Sequence, residues 1–238
     1  IHSGSFDDKE AVREGLETLM SYKPDLILLT GDLVNNFATE IDEYKDVFKD
    51  TLSAPMGMYA VMGNHDYGLY VDWDSKEAEE ENVREVRKRY QELGFKLLEN
   101  QSELFELNGD RLALVGVENW GSGHFPKFGD YDKAAKRIQS DDFKILLSHD
   151  PDHWEHKMID HDHHVHLTLS GHTHGSQMGV EIPGWIKWAP VQLRYKRWAG
   201  LYEEKGQILY VNRGFGYIGY PGRFGIWPEI TILDLETA

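Results

Sequence analysis

Tyr59-Ala60-Val61-Met62-Gly63-Asn64-His65-Asp66 reads as a buried strand that ends abruptly in a polar corner. Gly63 lets the backbone turn tightly, Asn64 offers a neutral oxygen, His65 a titratable imidazole and Asp66 a carboxylate. Taken alone, the corner also fits an ordinary β-turn, where Asn and Asp are at home. Further stretches of the same form decide between the two. Leu26-Ile27-Leu28-Leu29 runs into Thr30-Gly31-Asp32, and Phe143-Lys144-Ile145-Leu146-Leu147 runs into Ser148-His149-Asp150. Val165-His166-Leu167-Thr168-Leu169 runs into Ser170-Gly171-His172-Thr173-His174-Gly175, and Ile1-His2 has the look of a strand's last residues.

Helical patterns lie between these runs. Asp7 or Asp8 is placed to cap a first helix with Val12, Leu16, Leu19 and Met20 on its apolar face; a second, roughly 40–51, shows Ile41, Tyr44, Val47 and Phe48. Strands alternating with helices, with polar residues just past the strand ends, form the βαβ pattern, whose sites lie at the carboxyl ends of parallel strands. Residues 75–93 read as a third helix, acidic first and basic last, as a helix dipole prefers. Short apolar runs at 96–98, 103–107 and 111–117 follow, with Asn108-Gly109-Asp110 as a hairpin turn. Residues 116–131, rich in glycine and aromatics, read as a long loop near the site, 152–156 as a short surface helix, and 208–211 and 229–235 as the last strands. The expected fold class is α+β: one domain over 1–238, an αββα sandwich of two packed mixed β-sheets flanked by helices.

With 238 residues the chain has ample length for a core, and ordinary hydrophobic content makes it globular. Its formal charge of −16 opposes bulk attraction to nucleic acid or anionic lipid, yet leaves room for a phosphate substrate where bound cations reverse the local sign. There is no cysteine, so disulfides and thiolate metal sites are excluded. No apolar run is long enough to span a bilayer.

The polar residues that stand immediately after buried strands are His2, Asp32, Asn64, His65, His149, His172 and His174. Imidazole with carboxylate suits borderline divalent metals such as Mn, Fe and Zn. A carboxylate such as Asp32 can bridge two such ions, and an ion pair forms a clamp for in-line phosphoryl displacement. A hydroxide between the ions would attack phosphorus, His65 would protonate the leaving oxygen as general acid, and Asp66 would hold the His65 ring.

The ordered set His2, Gly31-Asp32, Gly63-Asn64-His65-Asp66, His149 and Gly171-His172-Thr173-His174 resembles the calcineurin-like metallophosphoesterase superfamily over nearly the whole chain. The resemblance implies a metallo-dependent phosphatase-like fold and a dinuclear centre. His2, Asp32 and His174 would hold one ion; Asp32, Asn64, His149 and His172 would hold the other, with His65 as the catalytic histidine. The superfamily's first motif carries an aspartate two residues before the histidine, a position ahead of Ile1, and the sequence is read as a piece of a longer protein. Leu28-Leu29-Thr30-Gly31-Asp32-Leu33-Val34, Gly171-His172-Thr173-His174-Gly175-Ser176-Gln177 and the tail from Asn212-Arg213-Gly214 through Arg223 to Pro228-Glu229-Ile230 resemble its bacterial membrane-associated phosphodiesterase branch. That branch implies an amino-terminal membrane or export segment, and hence a membrane-associated location.

Arg213 and Arg223 are candidates to hold a substrate phosphate bidentately, and His124, in the glycine-aromatic loop, is a candidate substrate contact. Between Glu181 and Glu203 there is no acidic residue, while Lys187, Arg194, Lys196 and Arg197 interleave with Trp185, Trp188, Tyr195 and Trp198. Residues 185–198 therefore read either as a lip for a lipid headgroup or membrane interface, or as a hairpin packing its tryptophans on a sheet. His153, His156, His161, His163, His164 and His166 read as surface histidines, not a further metal site. The function expected is hydrolysis of a small or phospholipid-like phosphodiester or pyrophosphate. The rivals are a nuclease, disfavoured by the acidic charge and the lack of a basic groove, and a non-catalytic metal-binding scaffold.

Overall fold

The structure is a computed structural model and describes residues 1–107, 109–182 and 184–236. In chain order the elements are α1 (Lys9–Ser21), β1 (Ile27–Leu29), α2 (Lys45–Thr51), β2 (Met58–Ala60), α3 (Lys76–Glu92), β3 (Phe95–Leu97), β4 (Gln101–Leu107) and β5 (Asp110–Gly116). There follow α4 (Tyr131–Ala134), β6 (Phe143–Leu147), β7 (Leu167–Ser170), β8 (Val180–Ile182), β9 (Ile186–Trp188), β10 (Gly200–Glu204) and β11 (Gln207–Val211). Asp8 caps α1 through its side chain, accepting from the backbone N–H groups of Glu10 and Ala11. The second helical stretch is a 3-10 helix, Ala38–Tyr44, that continues as α2.

Two sheets stack. One is β1-β2-β3, all parallel; the other is mixed, in the order β10-β11-β7-β6-β5-β4, with β5, β6, β7 and β11 parallel. Alternation along each strand explains the layers. Tyr59, Val61, Leu98, Leu112, Leu114, Ile145, Leu147 and Leu167 form the core between the sheets. Ala60 and Met62 point the other way, onto α1, α2 and α3 through Leu16, Val47, Phe48, Val86 and Tyr90. Val115, Leu146 and Val211 do the same for the outer face of the larger sheet, against Tyr131, Trp154 and Met158. Strands buried on both faces read as unbroken apolar runs, which is why these stood out in the sequence. The αββα sandwich is present as expected.

One local expectation holds and two are corrected. The hairpin between β4 and β5 forms, with Leu107 opposite Asp110, although Asn108 of its turn lies outside the described residues. The stretch after His153 is no surface helix: Trp154–Met158 is one π-helical turn whose Trp154 and Met158 are fully buried. Residues 229–235 are not a strand. They share with β1 the walls of a cavity of about 770 Å³, and the backbone N–H of Glu229 goes to the Gly214 carbonyl at 3.0 Å instead of to a strand.

Candidate metal centre

Because β1 runs parallel to β2 and β6 to β7, their carboxyl ends deliver the polar corners to one edge. The backbone there is strained. Of the non-glycine residues with positive φ, His2 (56°), Asp32 (55°), His172 (68°) and His174 (51°) all belong to this edge. Such conformations cost about 1–3 kcal/mol each and persist only where the surroundings enforce them.

At Asp32 the enforcing is done by Asp66. Its carboxylate, fully buried, accepts from the backbone N–H groups of Asp32 (2.9 Å), Leu33 (2.8 Å), Val34 (3.3 Å) and Gly63 (2.9 Å), and from the Tyr90 hydroxyl (2.8 Å). It ties the loop after β1 to the loop after β2. The expected role of Asp66 in holding the His65 ring is therefore corrected: its acceptor positions are taken by the backbone. His65 Nδ1 instead lies 2.8 Å from the Asn35 carbonyl oxygen, an acceptor, so this nitrogen carries the proton and Nε2 is left for another partner.

Two groups of ligand atoms converge, His2 with Asp32 and His174, and Asp32 with His149 and His172, each group within 4.8 Å and sharing Asp32. The hydrogen bonds around them fix which nitrogens are bare. His149 Nδ1 donates to the Thr30 carbonyl at 2.6 Å. Its Nε2 then faces Asp32 Oδ2 (3.0 Å), Asn64 Oδ1 (3.0 Å) and His172 Nδ1 (3.2 Å), all electron-rich. His2 Nδ1 lies 2.9 Å from Asn35 Oδ1, which turns Nε2 toward Asp32 Oδ2 at 3.3 Å. Asn64 aims its oxygen inward because its Nδ2 donates to the Tyr70 hydroxyl at 2.6 Å. His2 Nε2 and His174 Nδ1 are buried without a hydrogen-bond partner. Buried lone pairs gathered around a carboxylate are costly unless a cation sits among them, so the residues fit divalent metal ions.

Electrostatics agree. Burial, with nearby positive groups, lowers His172 and His174 well below the usual imidazole range, and burial brings His2 down to about 4, so these rings are neutral donors. Burial works to raise Asp32, but His149 and its hydrogen bonds outweigh it and hold the carboxyl well below its ordinary value. Burial would lower His149, but Asp32 outweighs it and raises the ring.

The structure thus brings together His2, Asp32, Asn64, His65, His149, His172 and His174. It does not offer Arg213 or Arg223 as free phosphate clamps. Arg213 pairs with Glu229 (2.6 Å) and with Glu181. Arg223 donates to the carbonyl oxygens of Gly216 (2.5 Å), Arg213 (2.8 Å) and Gly214 (3.2 Å), which holds residues 213–216 against the site. Their expected substrate role is corrected to a structural one, since guanidinium donors already spent on carboxylates and carbonyls cannot also fork a phosphate. His124 is exposed, and its neighbour Phe125 stands edge-on to the His172 ring at 4.9 Å. Sequence reasoning assigned no role to Asn35, Tyr70 (its ring 4.4 Å from that of His65) or Asp150. Asn35 and Asp150 follow Gly31-Asp32 and His149 closely, and that proximity was their only signal.

Gly63 offers a check on this geometry. A Cβ there would lie 2.7 Å from the Asp32 backbone nitrogen and collide with the Asp32 carboxylate. Gly63→Ala is expected to cost about 1–3 kcal/mol and to lower metal content, as read by thermal melting and elemental analysis; wild-type values for both would contradict the packing described.

A family model described as calcineurin-like phosphoesterase matches residues 1–176. An uncharacterized metallophosphoesterase of Bacillus subtilis, YkuE, is 30% identical over 239 residues, covering 99% of this chain and 76% of its own. A second from Bacillus subtilis, YkoQ, is 27% identical over 210 residues, with 87% and 71% covered. The UDP-2,3-diacylglucosamine pyrophosphatase LpxG of Chlamydia trachomatis is 28% identical over 261 residues, with 90% and 75% covered. With a family model matched over residues 1–176 and a relative 30% identical over nearly the whole of this sequence, the chain belongs to the calcineurin-like phosphoesterases and is a metal-dependent phosphoric ester hydrolase.

Proposed function

We propose that residues 1–238 form one catalytic domain that hydrolyses a phosphodiester or pyrophosphate, lipid-linked in its natural form, with two divalent ions of the Mn, Fe or Zn type. The observation that carries the two-ion reading is the sharing of Asp32 between two ligand groups. His2, Asp32 and His174 would hold one ion; Asp32, Asn64, His149 and His172 the other. Bound there, such ions supply an activated water and offset charge on a phosphoryl group. His65, protonated on both nitrogens, gives its Nε2 proton to the leaving oxygen, while the Asn35 carbonyl keeps the ring in place through Nδ1. Tyr70, against the His65 ring and 48% exposed, forms the outer wall.

The lipid part rests on the surface beside the site and on the LpxG relative, named for a diacylated substrate. Trp185 (83% exposed) and Leu193 (88%) stand on and beside the β8–β9 hairpin, and Phe224 and Trp227 on the neighbouring loop, which joins it through Gly179 N–H to the Phe224 carbonyl. The cations of residues 185–198 are largely spent internally: Arg194 on Asp152, Arg197 on Glu155 and Glu204, Lys187 on the Ala199 carbonyl. The lip is thus apolar in character, more than basic, and suits acyl chains or the bilayer boundary. No helix among the described residues is long and apolar enough to cross a membrane.

The test is turnover of bis-p-nitrophenyl phosphate and of a diacylated pyrophosphate in mixed micelles, in metal-loaded protein. His65→Ala is expected to lower kcat by about 10²–10⁴-fold with metal content unchanged. Full turnover in that variant would remove His65 as the acid, and equal kcat/KM for the two substrates would remove the lipid preference.

A further inference from the structure

The site contains a bond that the ligand set does not explain. His172 presents Nδ1 to the other ligand atoms, 2.8 Å from Asn64 Oδ1, so its Nε2 points away from them. That nitrogen lies 2.6 Å from the Tyr195 hydroxyl. Behind both stands Asp150: its Oδ2 is 3.5 Å from His172 Nε2 and 3.5 Å from the Tyr195 oxygen. Asp150 is at 0% exposure and Tyr195 at 6%, and 8% of the His172 side chain is exposed. Asp150 is itself held, its Oδ1 accepting from the Asp152 backbone N–H at 2.8 Å, and the Arg194 guanidinium lies over the Tyr195 ring at 4.6 Å.

We propose that Tyr195, backed by Asp150, is the positioning residue of His172. The inference rests on the reading of His172 as a ligand of the second ion. A neutral imidazole holds one proton, and a ligand nitrogen must be bare. A phenol oxygen at 2.6 Å accepts from Nε2–H and passes its own proton toward the Asp150 carboxylate, which keeps the proton of His172 off Nδ1. Metal-bound histidines are commonly oriented through their far nitrogen in this way. Here the partner does not come from the ligand-bearing loops. Tyr195 belongs to residues 185–198, the segment with the apolar lip, and the Thr173 hydroxyl fixes the two segments together by donating to the Trp198 carbonyl at 2.6 Å. The lip and the second ion are therefore connected through one phenol.

Tyr195→Phe removes the hydroxyl and keeps the ring that packs against Ala189, Trp198 and Ile226. The experiment is titration of chelator-stripped protein with Co²⁺, read by visible absorption and by bound equivalents, alongside melting of the metal-free protein. Wild type is expected to bind two ions. In Tyr195→Phe one of the two should weaken about 10- to 100-fold with an altered absorption band, the other should keep its affinity, and the metal-free melting temperature should hold. Asp150→Asn, which still fills the space, should weaken the same ion by less. Unchanged affinity for both ions overturns the proposal, as does equal weakening of both. If wild type itself fails to bind a second ion, the two-ion reading fails first, and the result is distinct.

Discussion

Asp32→Asn is expected to empty both metal positions at once while leaving the metal-free protein as stable as wild type or more so. Asp32 Oδ2 is the atom that both ligand groups share, 3.3 Å from His2 Nε2 and 3.0 Å from His149 Nε2. An asparagine keeps the oxygen that accepts from the His65 backbone N–H at 3.0 Å. It replaces the other oxygen with an NH₂ group, which donates to the bare nitrogens that otherwise face a carboxylate. The apo site then satisfies itself, and the strain that makes it a receptor for cations is relieved. Elemental analysis should show bound metal falling from about two ions to below one per chain. Turnover should fall by at least about 10³-fold, as expected when several kcal/mol of charge stabilisation is lost. Melting should show a metal-free variant no less stable than metal-free wild type. Retention of two ions would mean that Asp32 is not shared, and the two-ion mechanism would lose its basis.

Much of this centre was legible because strands buried on both faces leave a plain trace, an unbroken apolar run, and a parallel sheet sends the following residue to a common edge. Asp32, Asn64, His149 and His172 each stand directly behind such a run. What could not be read is what long-range geometry supplies. Tyr195 reaches His172 only because Thr173 and Trp198 lock two distant segments together, and Tyr70 meets His65 only through the turn at Gly68. Arginines were misread for a related reason. Sequence displays the charge of Arg213 and Arg223 but not Glu229, Glu181 and the carbonyl oxygens that consume their donors. The tail at 229–235 has a strand's alternation, yet strand formation needs a neighbour, and alternation says nothing about that.

Asp66 separates the two kinds of reading most sharply, because each gives a different experiment. As holder of the His65 ring, Asp66 could be replaced with loss of turnover in a folded protein. As the acceptor for four backbone N–H groups and the Tyr90 hydroxyl, it cannot be replaced without unfolding the edge that carries the site. Asp66→Ala leaves those buried donors without partners. At about 1–3 kcal/mol for each orphan, partly relieved by relaxation, the loss should be about 4 kcal/mol or more. For a chain of this size that is a fall of roughly 8–16 °C in melting temperature. Asp66→Asn should do little better, which is unusual for so conservative a change. Oδ2 accepts from Asp32, Gly63 and Tyr90, and Oδ1 from Leu33 and Val34, so an NH₂ group in either place meets N–H donors head-on. His65→Ala, by contrast, removes a half-buried ring and should melt within a few degrees of wild type. A folded Asp66→Asn protein with wild-type melting and little turnover would restore the ring-holding role. Loss of melting temperature and metal together, with Asn no better than Ala, places Asp66 beneath the chemistry, as the knot that holds the strained left-handed backbone of Asp32 in place for its ligands.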